Sequence, residues 1–266
     1  MELSVRGKRV FAGTGGRAFD AALPAAVFLH GAGMDHTVWA LQTRSFAHHG
    51  RSVLALDLPG HGDSEGSVLS GIPAMAEWVL EALRVVGVRK ARICGHSMGS
   101  LVALEAAARA GDSVEGLALL GFVPELGVHP DLLEAARTGA HAALDLMVAW
   151  SFGAQARFGS TPAPGLWLSG EAMRLLERAS STSLASDLAS CAAYDGAAEA
   201  AARIHCPTLF LLGAEDRMTP AAKGKAFAER IAGARVTVLP GVGHMMMIEA
   251  PVATIASTML ERTSSA

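Results

Sequence analysis

The chain is poor in cysteine: Cys94, Cys191 and Cys206 are the only three in 266 residues, and no two share the spacing of a zinc site or a redox dithiol. Free thiols are expected, with Cys94 acting as a small buried hydrophobe in a strand. Charge is also sparse. Charged residues make up 18% of the chain, the net charge is -3 and the basic residues are scattered. Phosphate-backbone binding needs a concentrated positive surface, so no nucleic-acid partner is expected. The composition is 51% hydrophobic, with a mean hydropathy of +0.33, yet no uninterrupted apolar run reaches membrane-spanning length. The stretch from Met1 to Arg9 carries early charges without the apolar core and cleavage site of a secretory signal, so a cytoplasmic location is expected. There is no solenoid repeat. The sequence leaves the oligomeric state open.

What the chain does have is a regular alternation. Short β-rich apolar runs occur at Val27 to Leu29, Val53 to Leu56, Arg92 to Cys94, Gly116 to Leu120, Thr208 to Leu212 and Val236 to Leu239. Helical patterns separate most of them, at Ile72 to Val86, Met98 to Ala110 and Ala221 to Ile231, with a last one from Val252 to Arg262. This order predicts an α/β fold with a mostly parallel central sheet and helices on both faces. Leu3 to Val5 and Arg9 to Ala12 predict a leading antiparallel hairpin. Gly13-Thr14-Gly15-Gly16 superficially resembles a dinucleotide loop but lacks the following helix of a βαβ unit, and it is read as a turn.

From Phe122 to Arg203 the alternation stops, with helical pieces, no convincing strand, and an interruption at 158–165. An inserted helical cap is expected there, which divides the chain into a core of residues 1–121 and 204–266 and a cap of residues 122–203. Met147, Trp150, Phe152, Phe158, Trp167 and Met173 are its candidates to roof a pocket at the C-terminal edge of the sheet. Trp150 and Met245, the latter in the run Met245-Met246-Met247, are the pocket-lining candidates taken forward.

The chemistry centres on Gly95-His96-Ser97-Met98-Gly99, placed between the run ending at Cys94 and the helical stretch from Ser100. A serine on such a strand-to-helix turn projects its hydroxyl outward, and the flanking glycines allow close backbone approach. A second match, Gly62-Asp63-Ser64-Glu65-Gly66, follows Pro59-Gly60 and leads into polar sequence, so it reads as a loop. A serine nucleophile needs a histidine base and an acid that orients it. Asp216 follows one late strand and His244 the next, so both lie on loops that reach the same sheet edge. Glu215, beside Asp216, and the remote Glu125 are the alternative acids. The order Ser97, Asp216, His244 is the nucleophile, acid and base order of one hydrolase fold.

On these residues the chain resembles the α/β-hydrolase fold serine hydrolases, of the capped kind that includes esterases, lactonases and carbon–carbon bond hydrolases. His30-Gly31-Ala32-Gly33, with Trp39 shortly after, resembles the family's oxyanion loop, and Asp57 to Ser64 resembles the loop after its next strand. The resemblance implies an oxyanion hole made by the backbone N–H groups of Ala32 and Met98, with no metal and no organic cofactor. It implies hydrolysis of a small ester-like molecule, with a carboxylic ester or a lactone leading, and the apolar cap suggests an apolar acyl group. Carbon–carbon bond hydrolysis of a diketone-type substrate and a nonenzymatic ligand receptor on the same fold are the alternatives. His30 and His61 are expected to bond turn backbone, and His96 to pack the turn that carries Ser97. The remaining histidines show no spacing that compels a metal site.

Overall fold

The computed structural model describes residues 1–159 and 166–259. Eight strands form one sheet: β1 (Glu2–Val5), β2 (Lys8–Gly13), β3 (Ala25–Leu29), β4 (Ser52–Leu56), β5 (Ala91–His96), β6 (Val114–Leu120), β7 (Thr208–Gly213) and β8 (Arg235–Leu239). Their spatial order is β1-β2-β4-β3-β5-β6-β7-β8. The β1–β2 hairpin is antiparallel and β2 pairs antiparallel with β4, whereas every pairing from β4 to β8 is parallel. All residues of β3, β4 and β7 are buried, as expected for central parallel strands covered on both faces, while β8 at the edge is half-exposed.

The strand order decides where the helices lie. The crossover through α1 (Ala40–His48) moves from β3 outward to β4. Those through α2 (Ile72–Val85) and α3 (Met98–Ala110) move the other way, to β5 and β6. Parallel crossovers are right-handed, so opposite directions put α1 on one face and α2 with α3 on the other. The packing agrees: α2 lies on α3, and α1 lies on the C-terminal helix. The chain therefore reverses direction between β3 and β5. An open α/β sheet presents its crevice at that point, beyond the C-terminal strand ends.

Between β6 and β7 the described chain is helical: α4 (Pro130–Arg137), α5 (Ala142–Ser151), α6 (Ala154–Arg157), α7 (Leu168–Arg178), α8 (Ser181–Ala192) and α9 (Ala197–Ala201). The chain then continues through α10 (Ala221–Ala228), α11 (Met246–Glu249) and α12 (Pro251–Met259). Ser160 to Gly165 of the expected interruption, and the expected end of the last helix at Arg262, lie outside the described residues. Among the described residues, no helix is long and apolar enough to cross a membrane.

Helix α8 is fastened to the sheet domain through one polar face. Ser183 Oγ donates to Gly60 O at 2.8 Å, Asp187 Oδ2 accepts from Gly33 N at 2.9 Å, and Ser190 Oγ accepts from Gly71 N at 2.9 Å. These three residues recur at helical spacing, so one side of the helix carries all the ties. Of the six residues expected to roof a pocket, Met147 and Trp150 line the cavity beside Ser97, whereas four stand elsewhere: Phe152 is buried in the core, Met173 is off the cavity wall, and Phe158 and Trp167 are 83% and 69% exposed. The last two lie at the edges of the interrupted stretch, and the Trp167 ring lies against Gly170.

Candidate active site

Ser97 is the residue between β5 and α3, with φ +52° and ψ −119°. A non-glycine residue in this region is strained by about 1–3 kcal/mol and holds only where its surroundings over-determine it. Here they do. Ser97 N donates to Leu120 O at 2.9 Å, while Ser97 O accepts from both the N and Oγ of Ser100, at 2.8 and 2.6 Å. The flanking glycines are required by contact: a Cβ on Gly95 would stand 2.0 Å from Gly99 O, and one on Gly99 would stand 2.3 Å from Leu29 O. Gly99→Ala is therefore expected to destabilise the fold by at least about 1–3 kcal/mol, as overpacking against rigid backbone does. Urea denaturation checks this, and an unchanged midpoint would contradict the tight approach of α3 to β3.

Asp216 lies on the loop after β7 and His244 on the loop after β8. They meet at 2.8 Å, His244 Nδ1 to Asp216 Oδ2, and both are buried. The carboxylate also accepts from Thr219 Oγ1 at 2.6 Å and from the N–H groups of Met218 and Thr219 at 2.9 and 2.8 Å. Burial alone would raise its pKa, but the His244 charge and these donors outweigh that and hold the carboxyl below its ordinary 3.8. Glu215 is elsewhere engaged: its Oε2 accepts from Ala154 N at 2.6 Å.

The loop carrying His244 is held by residues that had no motif to mark them. Glu249 on α11 accepts from the N–H groups of Gly243 and Met245, each at 3.1 Å, and from Gly153 N at 2.9 Å. Burial pushes its carboxyl up in spite of these donors. Ser151 O accepts from His244 N at 2.6 Å. His96 Nε2 donates to His244 O at 3.0 Å, and burial together with the nearby His244 charge pushes its pKa well below 6.5, so His96 is a neutral support.

Ser97 and His244 open into one cavity of about 300 Å³, which Ala32 also lines. Met98 is the first residue of α3, and a helix's first N–H groups have no partner within the helix. Trp150 lines the cavity, but Met245 does not: it is 1% exposed, in the core, and the thioethers at the cavity wall are those of Met34, Met147 and Met218. The turn at Met245 leads directly into α11, which sends the methionine run inward. Leu126, Leu132 and Leu188 complete an apolar wall contributed by the insertion.

His30 and His61 do bond turn backbone: His30 Nδ1 to Gly31 O at 2.9 Å, and His61 Nδ1 to Pro59 O at 3.1 Å. His61 has a further partner that the sequence did not announce, Asp187 Oδ2 of α8 at 2.8 Å. Ser64 of the second motif is structural, since its Oγ donates to Asp57 O at 2.8 Å and accepts from Phe11 N at 2.9 Å. Among the described residues, no group of three or more His, Cys, Asp or Glu could hold a metal ion.

The fold, the switch-point crevice and the Ser97 turn define the class, and the sequence comparison agrees. Residues 26–258 match the profile of the Alpha/beta hydrolase family, and the chain belongs to that family of hydrolases. It is 25% identical over 231 residues, 85% of each chain, to the (E)-2-((N-methylformamido)methylene)succinate hydrolase of Acinetobacter baylyi. Other curated relatives match over shorter stretches, in which the chain covers 25% to 42% of their length. Among solved structures, the enol-lactonase from Burkholderia xenovorans LB400 superposes with a TM-score of 0.86 at 27% identity, covering 97% of this chain and 98% of that one. A hydrolase from Pseudomonas aeruginosa PA01 superposes with a TM-score of 0.84 at 25% identity, covering 97% and 96%.

Proposed function

We propose that the protein is a serine hydrolase that cleaves a small carboxylic ester or lactone through an acyl-enzyme on Ser97. The observation that carries this reading is a serine on a strained strand-to-helix turn sharing one cavity with His244, whose Nδ1 is held at 2.8 Å by a buried carboxylate. A hydroxyl is weakly nucleophilic at neutral pH and needs an oriented base. With Asp216 accepting the Nδ1 proton, Nε2 of His244 is left free to take the proton of Ser97 as its oxygen attacks the carbonyl. The same nitrogen then protonates the leaving group and activates water to release the acid. Asp216 stays ionised throughout and stabilises the imidazolium.

Negative charge develops on the carbonyl oxygen during attack. The N–H groups of Ala32 and Met98 are the donors for it, and the positive end of α3 adds to their effect. Losing one such donor costs about 2.7–4 kcal/mol in comparable sites. Residues 122–203 act as a cap, because Leu126, Met147, Trp150 and Leu188 close the cavity over Ser97. A volume of about 300 Å³ is at the small end for ligand pockets, which favours a compact substrate. A lactone fits beside an ester, since both present an acyl oxygen bond to the same machinery, and the enol-lactonase likeness points the same way.

Labelling with a fluorophosphonate tests the nucleophile. One adduct per chain is expected, located at Ser97 by peptide mass spectrometry, and none in a Ser97→Ala protein whose circular dichroism is unchanged. An adduct on another residue, or labelling that survives the substitution, removes Ser97 from the mechanism.

A further inference from the structure

The cavity wall holds a cation for which the described residues supply no counter-ion. Arg217 follows Asp216 on the loop after β7 and lines the same cavity as Ser97 and His244. Its acidic neighbours in sequence are both committed, Asp216 to His244 and Thr219, and Glu215 to Ala154 N. Among the described residues, no aspartate or glutamate lines the cavity. Among the described residues Arg217 has no ion pair and no hydrogen bond, in contrast to Arg109, which is paired with Glu105 and Glu77. The other ionisable side chains at the wall do not compensate it: His129 and His244 carry no negative charge in any state relevant here, and burial pushes the Cys191 thiol up, so it stays protonated.

Much of the remaining cavity wall is apolar, with Met147, Trp150 and Leu188. Arg217 is itself exposed, so it stands where the cavity meets solvent, while Ser97 is buried at 7% exposure. The site thus has two ends: a buried nucleophile, and a planar five-donor cation at the opening that matches a carboxylate in bidentate fashion. We propose that the substrate carries a carboxylate beside its ester or lactone group, and that Arg217 receives this carboxylate while the carbonyl faces Ser97. The proposal rests on the serine hydrolase reading. It replaces the purely apolar acyl group that the sequence suggested, because the apolar cap residues make only part of the wall and the loop after β7 completes it with charge.

The test uses matched pairs of substrates with the whole protein. One pair places the charge on the acyl side, p-nitrophenyl hydrogen glutarate against p-nitrophenyl valerate. The other places it on the alcohol side, carboxymethyl butyrate against propyl butyrate. In at least one pair, kcat/KM is expected to favour the anionic member, with a preference that shrinks as sodium chloride is added. Arg217→Gln is expected to lower kcat/KM for that anionic ester by about tenfold and to leave its neutral partner within about twofold, the loss appearing mainly in KM. Equal losses for anionic and neutral members, or no preference for the anion in either pair, would overturn the proposal.

A binding measurement separates this inference from the catalytic reading. Monomethyl glutarate and carboxymethyl butyrate are titrated calorimetrically into the Ser97→Ala protein, with dimethyl glutarate as the neutral control. A Kd for either acid that rises about tenfold when Arg217→Gln is added, with no change for the control, supports the anion subsite even if every ester resists turnover. Affinities indifferent to Arg217 sink it even if turnover through Ser97 is established.

Discussion

Ser97→Ala is expected to lower kcat on a p-nitrophenyl ester by about 10⁶, and Asp216→Asn by about 10⁴, in variants that fold as the wild type does. The two losses have different causes. Without the hydroxyl there is no acyl-enzyme, and only the oxyanion donors and substrate binding remain. Asparagine keeps the shape of Asp216 but turns part of it into a donor. Its amide N–H would point at His244 Nδ1, which then becomes an acceptor, and the ring proton moves to Nε2, the nitrogen that has to take the proton of Ser97. The charge that stabilises the imidazolium is also lost. The surroundings of Asp216 sharpen the expectation, since its oxygens are already satisfied by Met218 N, Thr219 N and Thr219 Oγ1, which leaves little freedom to rearrange. Glu215 cannot take over, because its carboxylate is bonded to Ala154 N. Steady-state kinetics on both variants and on Glu215→Gln check this. An Asp216→Asn enzyme within tenfold of wild type, or a Glu215→Gln enzyme that loses as much, would move the acid elsewhere.

The strands and the nucleophile turn were legible because a single physical pattern defines each. Central parallel strands are buried on both faces and read as short continuous apolar runs. Helix α3 was read at its observed bounds because it begins at the Ser97 turn and ends before Gly111, whose φ is +53°. Helix α1 was not read at all. Its buried face includes Gln42 and Thr43, and Gln42 Nε2 donates to Met247 O at 2.8 Å, so a polar bond replaces the apolar stripe that marks a helix in sequence. The proposed acid and base were chosen from their place after late strands and from chain order, and Asp216 and His244 do meet in the structure. Their supports were not legible, because Glu249 and Ser151 act through backbone contacts that carry no residue pattern. Arg217 carried no mark in the sequence, since which side of a loop a side chain takes is settled only by the folded backbone. Asp187 did leave a trace: Leu184, Asp187, Leu188 and Cys191 share one helical stripe and are all buried, and a carboxylate in such a stripe demands a partner.

That partner makes Asp187→Ala the most destabilising single change expected outside the active residues, at about 3–5 kcal/mol. His61 Nδ1 faces the carbonyl of Pro59 and Nε2 faces the Asp187 carboxylate, so both ring nitrogens address acceptors and both must donate. The ring is therefore an imidazolium, with Asp187 as its counter-ion, and both side chains are buried. Burial works against the charge, but the hydrogen bond and field of Asp187 outweigh it and raise the His61 pKa above 6.5. His30, 4.9 Å away ring to ring, does not compete: its Nδ1 donates to Gly31 O, its Nε2 accepts from Leu58 N, and burial with the His61 charge lowers it to about 4. Removing the carboxylate strands a buried cation and also frees Gly33 N, on the loop that carries Ala32. Loss of stability and loss of kcat should thus come together, whereas a purely structural tie would move stability alone. Because the folded pKa of His61 is raised, the pair contributes fully below pH 6.5, and its contribution fades as pH rises through the folded value. Urea midpoints of the wild type should fall across that window, and those of Asp187→Asn should fall less, the remainder coming from His36, whose pKa, against its partial burial, Asp57 also raises. A His61→Leu, Asp187→Leu protein should be more stable than Asp187→Ala alone, since it buries no unpaired charge. If the double variant is instead the less stable, and the wild-type midpoint is flat across the window, the imidazolium assignment fails and the neutral form of His61 must be accepted.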